Sequence, residues 1–301
     1  METVLITGGT GLIGNQLTLL LKNKGYGVIH LSRSISKKQL VPTYLWNVEK
    51  KTIDAQAIEK ADYIIHLAGA GIGEKRWTKK RKEEIINSRI DSANLLFEAI
   101  KNSNKKTKAF VSASGIGYYG AITTNTIFFE QDNAANDFLG HTCKLWEDSA
   151  TPITAMGIRT VIIRTGVVLG KNASALEKIM LPVRLGIASP LGNGKQYMPW
   201  IHLDDICGIY LKAIEDSQMT GVYNGVAPEH ITNATFMKAV ADVLKKPFLF
   251  PNLPAFILKL VVGEMAIVLL EGSKVSSQKI MAAGFKFKYS TLKNALIDCV
   301  G

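Results

Sequence analysis

The sequence has few cysteines, and the three that it has, Cys143, Cys207 and Cys299, lie far apart. Their odd number and wide spacing exclude a disulfide framework and do not match the close pairs of a zinc cluster. The five histidines are equally scattered and lack the spacing of metal ligands, so no metal site is predicted. This cysteine content suits a reducing compartment, and we expect a cytoplasmic protein.

Long apolar runs are also absent. The most apolar stretch, residues 253–270, is interrupted by Lys259, Gly263 and Glu264, which favours a buried or interface helix over a membrane span. Met1 to Ile6 resemble a strand and carry neither the basic segment nor the cleavage site of a secretory signal. We therefore expect no membrane partner.

Acidic residues are fewer than basic residues, and the formal net charge is +11 at pH 7. Such a charge attracts any polyanion, including nucleic acid or a phosphorylated cofactor. The densest basic run, residues 75–82, contains only Trp77 as an aromatic residue and is followed by Glu83 and Glu84. Because nucleic-acid sites usually interleave several aromatics, the run is interpreted as a solvated helix face, and no nucleic-acid partner is predicted.

Apolar runs alternate with helical patterns through the first half, which is typical of a parallel sheet wrapped by helices. The predicted strands are 4–7, 28–32, 62–67, 109–113 and 160–164, and the predicted helices include 15–24, 82–101 and 141–156. After Gly166, glycines and prolines indicate loops around short elements. The sequence predicts an α/β fold with a Rossmann doubly wound parallel sheet in residues 1–165. Residues 166–301 are predicted to form a smaller mixed α/β substrate lobe, partly interwoven with the first domain.

The first predicted strand runs into a glycine-rich turn and then a helix. Glycines at such positions permit the tight turn, let backbone N–H groups approach a pyrophosphate, and allow the helix to pack on the strand. The helix start adds partial positive charge. The residues of the turn predicted to bind a dinucleotide are Gly8, Thr10, Gly11, Leu12, Ile13 and Gly14.

The second strand ends where an NAD site would offer a carboxylate to the adenosine ribose, and this chain has Ser32 and Arg33 there. A guanidinium can pair with a 2′-phosphate and a serine can hydrogen-bond to it, so NADP(H) is the predicted cofactor. The alternative for Arg33 is an ordinary surface arginine. A second turn of small residues follows the strand that ends at His66, and His66 itself is interpreted as a packed strand residue.

These residues, together with several longer motifs, give the chain its resemblance to a known family. It resembles the extended short-chain dehydrogenases/reductases, and in particular their atypical branch called the epimerase family, or YfcH-like proteins. The resemblance covers essentially the whole chain. Its motifs include TGGTGLIG at 7–14, HLAG at 66–69, SGIGYYG at 114–120, RTGVVLG at 164–170 and PWIHLDD at 199–205.

The resemblance implies a set of cofactor contacts and a carboxy-terminal lobe that closes over a small-molecule substrate. Beyond the first turn, the implied NADP(H) contacts are Ser32, Arg33, Leu67, Ala68, Gly69, Glu84, Arg89 and Val168. It implies neither a substrate nor an oligomeric state, and monomer and homodimer stay equally open. Because one fold hosts many reactions, the resemblance does not by itself fix the chemistry.

Typical members of that superfamily transfer a proton through a Tyr followed four residues later by a Lys. Here those two positions hold Leu139 and Cys143, and neither can reproduce the roles. The remaining candidates are Ser114, which could orient a substrate carbonyl, and Tyr118 or Tyr119, which could pass a proton. The sequence shows no cation beside these tyrosines, and packing of a turn is the equal alternative.

Weaker candidates lie elsewhere. A literal Tyr-x-x-x-Lys occurs at Tyr289 and Lys293, but it is near the end of the chain and is interpreted as the start of a helix. His141, Cys143 and Lys144 are possible alternative acids. In the second half, a cluster of polar and aromatic residues could line a pocket or could anchor the lobe; it comprises Lys195, Gln196, Tyr197, Trp200 and His202.

The sequence therefore predicts an NADP(H)-dependent oxidoreductase or epimerase acting on a small carbonyl or alcohol, or on a sugar nucleotide. The alternative is a protein that binds NADP(H) as a sensor without turnover, because the usual Tyr-Lys pair is missing.

Overall fold

One eight-stranded sheet dominates the computed structural model, which describes residues 1–35 and 40–300. Its order is β11-β8-β6-β5-β1-β2-β3-β4, and every neighbouring pair is parallel except β3 with β4. The strands are β1 Thr3–Thr7, β2 Gly27–Ser32, β3 Thr43–Asn47, β4 Thr52–Ile53, β5 Tyr63–His66, β6 Ala109–Gly115, β7 Ile127–Phe128, β8 Arg159–Thr165, β9 Val167–Leu169, β10 Trp200–His202, β11 Gly221–Gly225 and β12 Lys274–Val275. Two small parallel sheets, β9 with β10 and β7 with β12, lie outside it.

Helices connect these strands. They are α1 Leu12–Asn23, α2 Ala55–Lys60, α3 Lys79–Lys101, α4 Phe138–Asp148, α5 Thr151–Ala155, α6 Ser174–Arg184, α7 Leu203–Glu215, α8 Asn233–Val243, α9 Ala255–Val262, α10 Ile267–Leu270, α11 Gln278–Ala282 and α12 Leu292–Val300, with 3-10 turns at Ile116–Tyr119 and Gly263–Ala266. The single helix predicted over residues 141–156 is wrong. The chain makes two helices there, and Pro152, which has no N–H to continue a helix, lies in the first turn of the second.

The strand order confirms the predicted Rossmann sheet. The sheet extends from β1 through β2 on one side and through β5 on the other. The loops at the carboxyl ends of these strands therefore run to opposite sides and leave a crevice between them. Ligands of such sheets bind in that crevice. The predicted division at residue 165 stays a prediction, although β11, from the second half, completes the main sheet beside β8.

A separate apolar core fills the second half, where α6, α8 and α12 bury side chains such as Leu176, Phe236 and Leu296 around Trp200. Within the described residues, no helix combines the length and apolar character needed to cross a membrane. The same residues hold no group of histidine, cysteine and carboxylate side chains that could bind a metal ion.

Candidate functional site

Two positions of the glycine turn between β1 and α1 leave no room for a side chain. Gly8 has φ +70°, and a Cβ there would meet the backbone of Leu67 and Ala68 at 3.0 Å. A Cβ at Gly14 would lie 2.4 Å from the Gly8 carbonyl oxygen. The turn and the start of α1 therefore pack backbone on backbone, and three of the four residues 8–11 carry no side chain.

The amino end of α1 is open to an anion. Its N-cap residue is Gly11, which offers no side chain to the first turn, and that turn contains no acidic residue. The first N–H groups of any helix lack partners inside it, so those of Leu12, Ile13 and Gly14 can bind phosphate oxygens. Thr10 and Gly11 are exposed beside them. This is the arrangement that a pyrophosphate requires.

The turn rests on a buried, neutral histidine. The ring of His30 lies directly against Gly9, where a Cβ would come within 2.5 Å of it. Thr18 donates its hydroxyl hydrogen to the Gly14 carbonyl oxygen at 2.7 Å, so the 2.8 Å contact between its oxygen and His30 Nε2 must be donated by the histidine. Burial lowers the pKa of His30 to about 4, and the ring stays uncharged at neutral pH.

A second buried histidine fixes the turn after β5. The Thr7 hydroxyl accepts the N–H groups of Leu67 and Ala68, both at 3.2 Å, so its own hydrogen goes to His66 Nδ1 at 2.7 Å. Nε2 of His66 then carries the ring hydrogen and donates it to Ser92 Oγ at 3.1 Å. Burial lowers the pKa of His66 to about 4. His66 is thus a packed strand residue that holds the turn of Leu67 and Ala68 in place.

The remaining cofactor candidates differ in exposure. Ser32 ends β2 half-buried, and Arg33 is exposed just beyond it. Val168 is half-buried in β9 beside Ile201 of β10. Glu84 is exposed on α3, where one of its oxygens pairs with Arg81 at 2.8 Å. Its predicted role stays a prediction.

Arg89 is a buried cation without a carboxylate partner in the described part of the chain. Its guanidinium donates to the carbonyl oxygens of Ala70 (3.0 Å) and Ile85 (2.8 Å), and lies 4.6 Å from the centre of the Trp146 ring. Its Nε finds no acceptor among the described atoms. Burial lowers the pKa of Arg89 to about 10. A Cβ at Gly69 would approach this guanidinium to 3.2 Å, so Arg89 lies directly under the second cofactor turn.

Ser114 belongs to a buried ionic network at the carboxyl ends of β6 and β8. Glu147 of α4 binds Arg164 of β8 through two parallel bonds of 2.8 Å, and both side chains are less than one-tenth exposed. Ser114 donates its hydroxyl hydrogen to the same carboxylate at 2.7 Å. Burial opposes the charge of Arg164, but the bonds to Glu147 and Tyr119 outweigh it and raise the pKa.

The role predicted for Ser114, orienting a substrate carbonyl, requires a donated hydrogen and stays a prediction. Because that hydrogen is directed to the Glu147 carboxylate, which can only accept, the Ser114 oxygen keeps lone pairs for accepting a bond instead. A substrate hydroxyl group suits such an oxygen better than a carbonyl.

The structure also distinguishes the two adjacent tyrosines. Tyr119 is buried, donates to Asn224 Oδ1 at 2.7 Å and accepts from Arg164 at 2.9 Å, and burial raises its pKa to about 12. Tyr118 is half-buried, and the Arg164 guanidinium lies 3.3 Å from the centre of its ring. The cation that sequence analysis did not find beside the tyrosines is therefore Arg164.

The positions of the missing Tyr-Lys pair carry no group suited to proton transfer. Leu139 is buried in an apolar cluster with Trp77 and Ile85. Cys143 lies against the glycines that follow Ser114, and burial raises the pKa of its thiol to about 12. Neither can donate a proton near neutral pH.

The weaker candidates make no hydrogen bond to this network within the described residues. Lys144 is exposed and pairs with Asp148. Tyr289 donates to Asp298 at 2.6 Å and stacks on His202, which in turn caps α7. Trp200 and His202 are buried, so the anchoring interpretation of their cluster describes them better than the pocket interpretation.

Sequence analysis missed Glu147 and Arg164 as site residues. They stand 17 positions apart, on a helix and a strand, and no local motif joins them. The available signal was a charge inside each of two otherwise apolar patterns: Arg164 ends a β-rich run, and Glu147 follows Trp146 in a helix. Charges at such positions are rarely buried unless they pair.

Comparison with known proteins was made on sequence and on structure. Residues 4–224 match the model of the NAD dependent epimerase/dehydratase family, and residues 253–299 match a domain of unknown function, DUF1731. The chain is 35% identical over 300 residues to the human epimerase family protein SDR39U1, with 99% of each chain covered. It is 35% identical over 298 residues to the epimerase family protein YfhF of Bacillus subtilis, covering 99% of this chain and 97% of the relative.

Two solved structures bear on the fold. The crystal structure of human SDR39U1 (isoform 2) with NADPH superimposes with a TM-score of 0.87 at 32% identity, covering 99% of both chains. The UDP-glucose 4-epimerase of Thermus thermophilus, in complex with NAD, gives a TM-score of 0.76 at 20% identity, covering 99% of this chain and 98% of that one, a likeness of fold alone.

Proposed function

The chain belongs to the NAD dependent epimerase/dehydratase family, and from this premise we propose that it is an NADP(H)-dependent oxidoreductase or epimerase acting on a small alcohol or carbonyl compound or on a sugar nucleotide. Its pyrophosphate site would be the turn of residues 8–14. The adenosine 2′-phosphate would lie at Ser32 and Arg33. The NADPH in the human relative's crystal structure supports this choice of cofactor.

The observation that carries the proposal is the pairing of an open dinucleotide cradle with a buried polar network at the same edge of the sheet. The adenosine end lies toward β2, so a dinucleotide crossing at β1 extends its nicotinamide toward the carboxyl ends of β5, β6 and β8. Ser114 ends β6, and Arg164 lies near the end of β8. A buried ion pair of this kind costs desolvation, and in this proposal its role is to position Ser114 and the two tyrosines.

The bound cofactor supplies or accepts a hydride. In the reducing direction Tyr118 gives its proton to the substrate oxygen, and Arg164, held against the ring by Glu147, stabilises the negative charge left on the phenol. Before oxidation the substrate hydroxyl can be oriented by a hydrogen bond to Ser114 Oγ, and as the substrate carbon loses its hydride the hydroxyl proton passes to the phenolate of Tyr118. Arg89 lies under the turn of Ala68 and Gly69, where it can bind oxygens of the nicotinamide ribose.

The test follows NADPH oxidation with carbonyl compounds, NADP⁺ reduction with alcohols, and epimer formation from sugar nucleotides. Tyr118→Phe is expected to lower kcat by about 100-fold or more, the usual contribution of a general acid, and to leave NADPH affinity unchanged. Tyr26→Phe is the matched control, because Tyr26 lies at the amino ends of the strands beside Tyr63. Full activity in Tyr118→Phe would refute the role of Tyr118.

A second candidate is an NADP(H) sensor without turnover. It is favoured by one observation, the buried Leu139 and Cys143 at the positions of the superfamily's proton-transfer pair. Tight NADPH binding, with neither a change in redox state nor an epimerised product across the whole panel, would favour this candidate over the enzyme.

A further inference from the structure

The most exposed apolar side chains of this protein are concentrated in the second half of the chain. Single exposed apolar side chains are ordinary on a protein surface, but a contiguous group of them marks a surface that another body covers. Apart from Met1, the six most exposed large apolar side chains of the described residues are each at least 59% exposed; they are Leu181, Leu185, Leu249, Phe256, Leu260 and Val261.

These side chains belong to one region of the surface, because the chain after α6 lies beside the chain before α9. Leu253 N donates to the Pro190 carbonyl oxygen at 2.8 Å, and Gly192 N donates to the Leu253 carbonyl oxygen at 2.9 Å. The carboxyl end of α6 and the amino end of α9 are therefore neighbours.

The loop before α3 joins the same two helices a second time. Lys178 of α6 donates to the Gly73 carbonyl oxygen at 3.3 Å, and Arg76 donates to the carbonyl oxygen of Leu260 in α9 at 2.6 Å. The basic run that follows this loop therefore borders both helices. We call the exposed side chains of segments 73–84, 174–187 and 245–264 the α6–α9 face.

Helix α9, within this face, is apolar on nearly every side. Among its eight residues only Lys259 is polar, and only Leu258 is buried. A helix of that composition ordinarily lies in a protein core or in lipid. Phe256 and Leu260 are four residues apart, so they share one side of the helix, and both are exposed.

The α6–α9 face carries a large excess of positive charge. Its three segments contain eleven lysines and arginines and five glutamates. Four of these glutamates, Glu74, Glu84, Glu177 and Glu264, already pair with cations of the same segments. Exposed lysines that have no carboxylate partner among the described residues include Lys75, Lys79, Lys80 and Lys259.

This charge distinguishes between the bodies that could cover the face. Two-fold pairing with a second copy would place the positive charge of one face against that of the other. Interfaces between different proteins are depleted in lysine. Helices that lie in a membrane interface instead combine lysines with leucine and phenylalanine, and anionic lipid headgroups complement the lysines.

We propose that the α6–α9 face docks on a membrane surface that contains anionic lipids. Phe256, Leu260 and Val261 enter the boundary between headgroups and acyl chains, while Lys79 and Lys80 lie against the headgroup phosphates. A helix that lies in the plane of the interface needs no spanning length. The proposal thus departs from the expectation of no membrane partner, which was drawn from the lack of a long apolar run.

The test is co-sedimentation of the full chain with two kinds of sucrose-loaded vesicle. One kind is phosphatidylcholine alone, and the other contains about one third phosphatidylglycerol. Binding to the anionic vesicles is expected to be at least about tenfold tighter and to weaken as salt is added. No binding, or equal binding to both kinds of vesicle, would overturn the proposal.

One pair of variants tests the apolar contact. Leu260→Glu changes a side chain that is 77% exposed, so the melting temperature and the NADPH affinity should stay unchanged. It is expected to weaken binding to the anionic vesicles about tenfold or more, because a buried leucine is replaced by a charge that lipid phosphates repel. Ile297→Glu, on α12 and 51% exposed, is the matched control. Equal weakening by the two variants would contradict the placement of the membrane at α9.

A second pair tests the charge. Lys79→Gln combined with Lys80→Gln is expected to weaken vesicle binding about tenfold or more, since each lysine near an anionic surface contributes about fivefold. Lys22→Gln combined with Lys24→Gln removes the same net charge at exposed positions around the end of α1 and should have little effect. Equal losses would show attraction by net charge alone and would overturn the proposal.

Sedimentation velocity without lipid tests the second copy as the occupant. Leu260→Glu and Ile297→Glu are both expected to sediment like the unchanged protein. A dimer that Leu260→Glu alone dissociates would assign the α6–α9 face to a second copy and would reject the membrane.

Discussion

Replacing Gly14 by alanine should disable the dinucleotide cradle without unfolding the protein. The new Cβ would stand 2.4 Å from the Gly8 carbonyl oxygen and 2.7 Å from Gly9 Cα, and these are backbone atoms that cannot rotate away. An ordinary contact begins at 3.4 Å, so the turn must shift by about 1 Å. A displacement of that size takes the backbone N–H groups out of hydrogen-bond reach of a pyrophosphate.

The expected loss of affinity follows from the bonds that are broken. A hydrogen bond to a charged group contributes about 1.5–3 kcal/mol, so losing two of them weakens NADPH binding by at least about 100-fold. The fold should survive, because alanine in a helix is about 1 kcal/mol better than glycine and partly offsets a strain of about 1–3 kcal/mol. The melting temperature without cofactor should therefore fall by only a few degrees.

Calorimetric titration with NADPH and a thermal melt without it check both halves of this expectation. Gly73→Ala is the matched control, because a Cβ at Gly73 meets nothing within 4 Å and its φ is not positive. If Gly14→Ala binds NADPH as tightly as the unchanged protein, the steric reasoning and the location of the pyrophosphate site are both refuted.

Three other perturbations have definite outcomes. Arg33→Ala should weaken NADPH about tenfold, as expected for the loss of one exposed charged bond, and barely change NADH binding; equal losses in calorimetry would reject the 2′-phosphate contact. Tyr119→Phe leaves Asn224 and Arg164 each without one bond and should cost about 1–3 kcal/mol in urea unfolding; an unchanged midpoint would contradict the buried network. The folded-state pKa of His66 is about 4, below the ordinary value of 6.5. The fold accepts only the neutral ring, so this contribution to stability is fully present above pH 6.5. The free energy of unfolding then falls by up to about 3 kcal/mol as the pH falls from 6.5 to 4. Urea titrations at several pH values should show this loss, and His66→Gln should reduce it; an identical slope in the variant would show that other groups cause it.

The elements nearest the cofactor could be predicted from the sequence because each depends on local chain chemistry. Glycine spacing after an apolar run predicted the turn at residues 8–14, and β1 at Thr3–Thr7 confirmed the strand before it within one residue. Helix α3 begins at Lys79 rather than the predicted residue 82, with Thr78 capping it. The first residue of a helix is hard to predict from sequence, because the N–H groups of the first turn have no partners inside the helix and depend on capping groups or water.

The buried polar network of the candidate site could not be predicted, because it is made by contacts between distant elements. Nothing local in the chain brings Glu147 beside Arg164, or directs the Ser114 hydrogen away from a substrate. From the sequence, Tyr118 and Tyr119 were equal candidates for passing a proton. Their difference in burial arises only when β11 brings Asn224 against the second of them.

The placement of β11 has a consequence for how the chain folds while it is being synthesised. The main sheet lacks its last strand until residue 225 has left the ribosome, and until then β8 offers an unpaired edge with Val161 and Ile163 buried in the finished molecule. Such an edge is prone to pair with other chains. A nascent chain halted between residues 165 and 220 should therefore be a client of chaperones, and a gene fragment ending there should yield aggregates rather than a smaller cofactor-binding protein.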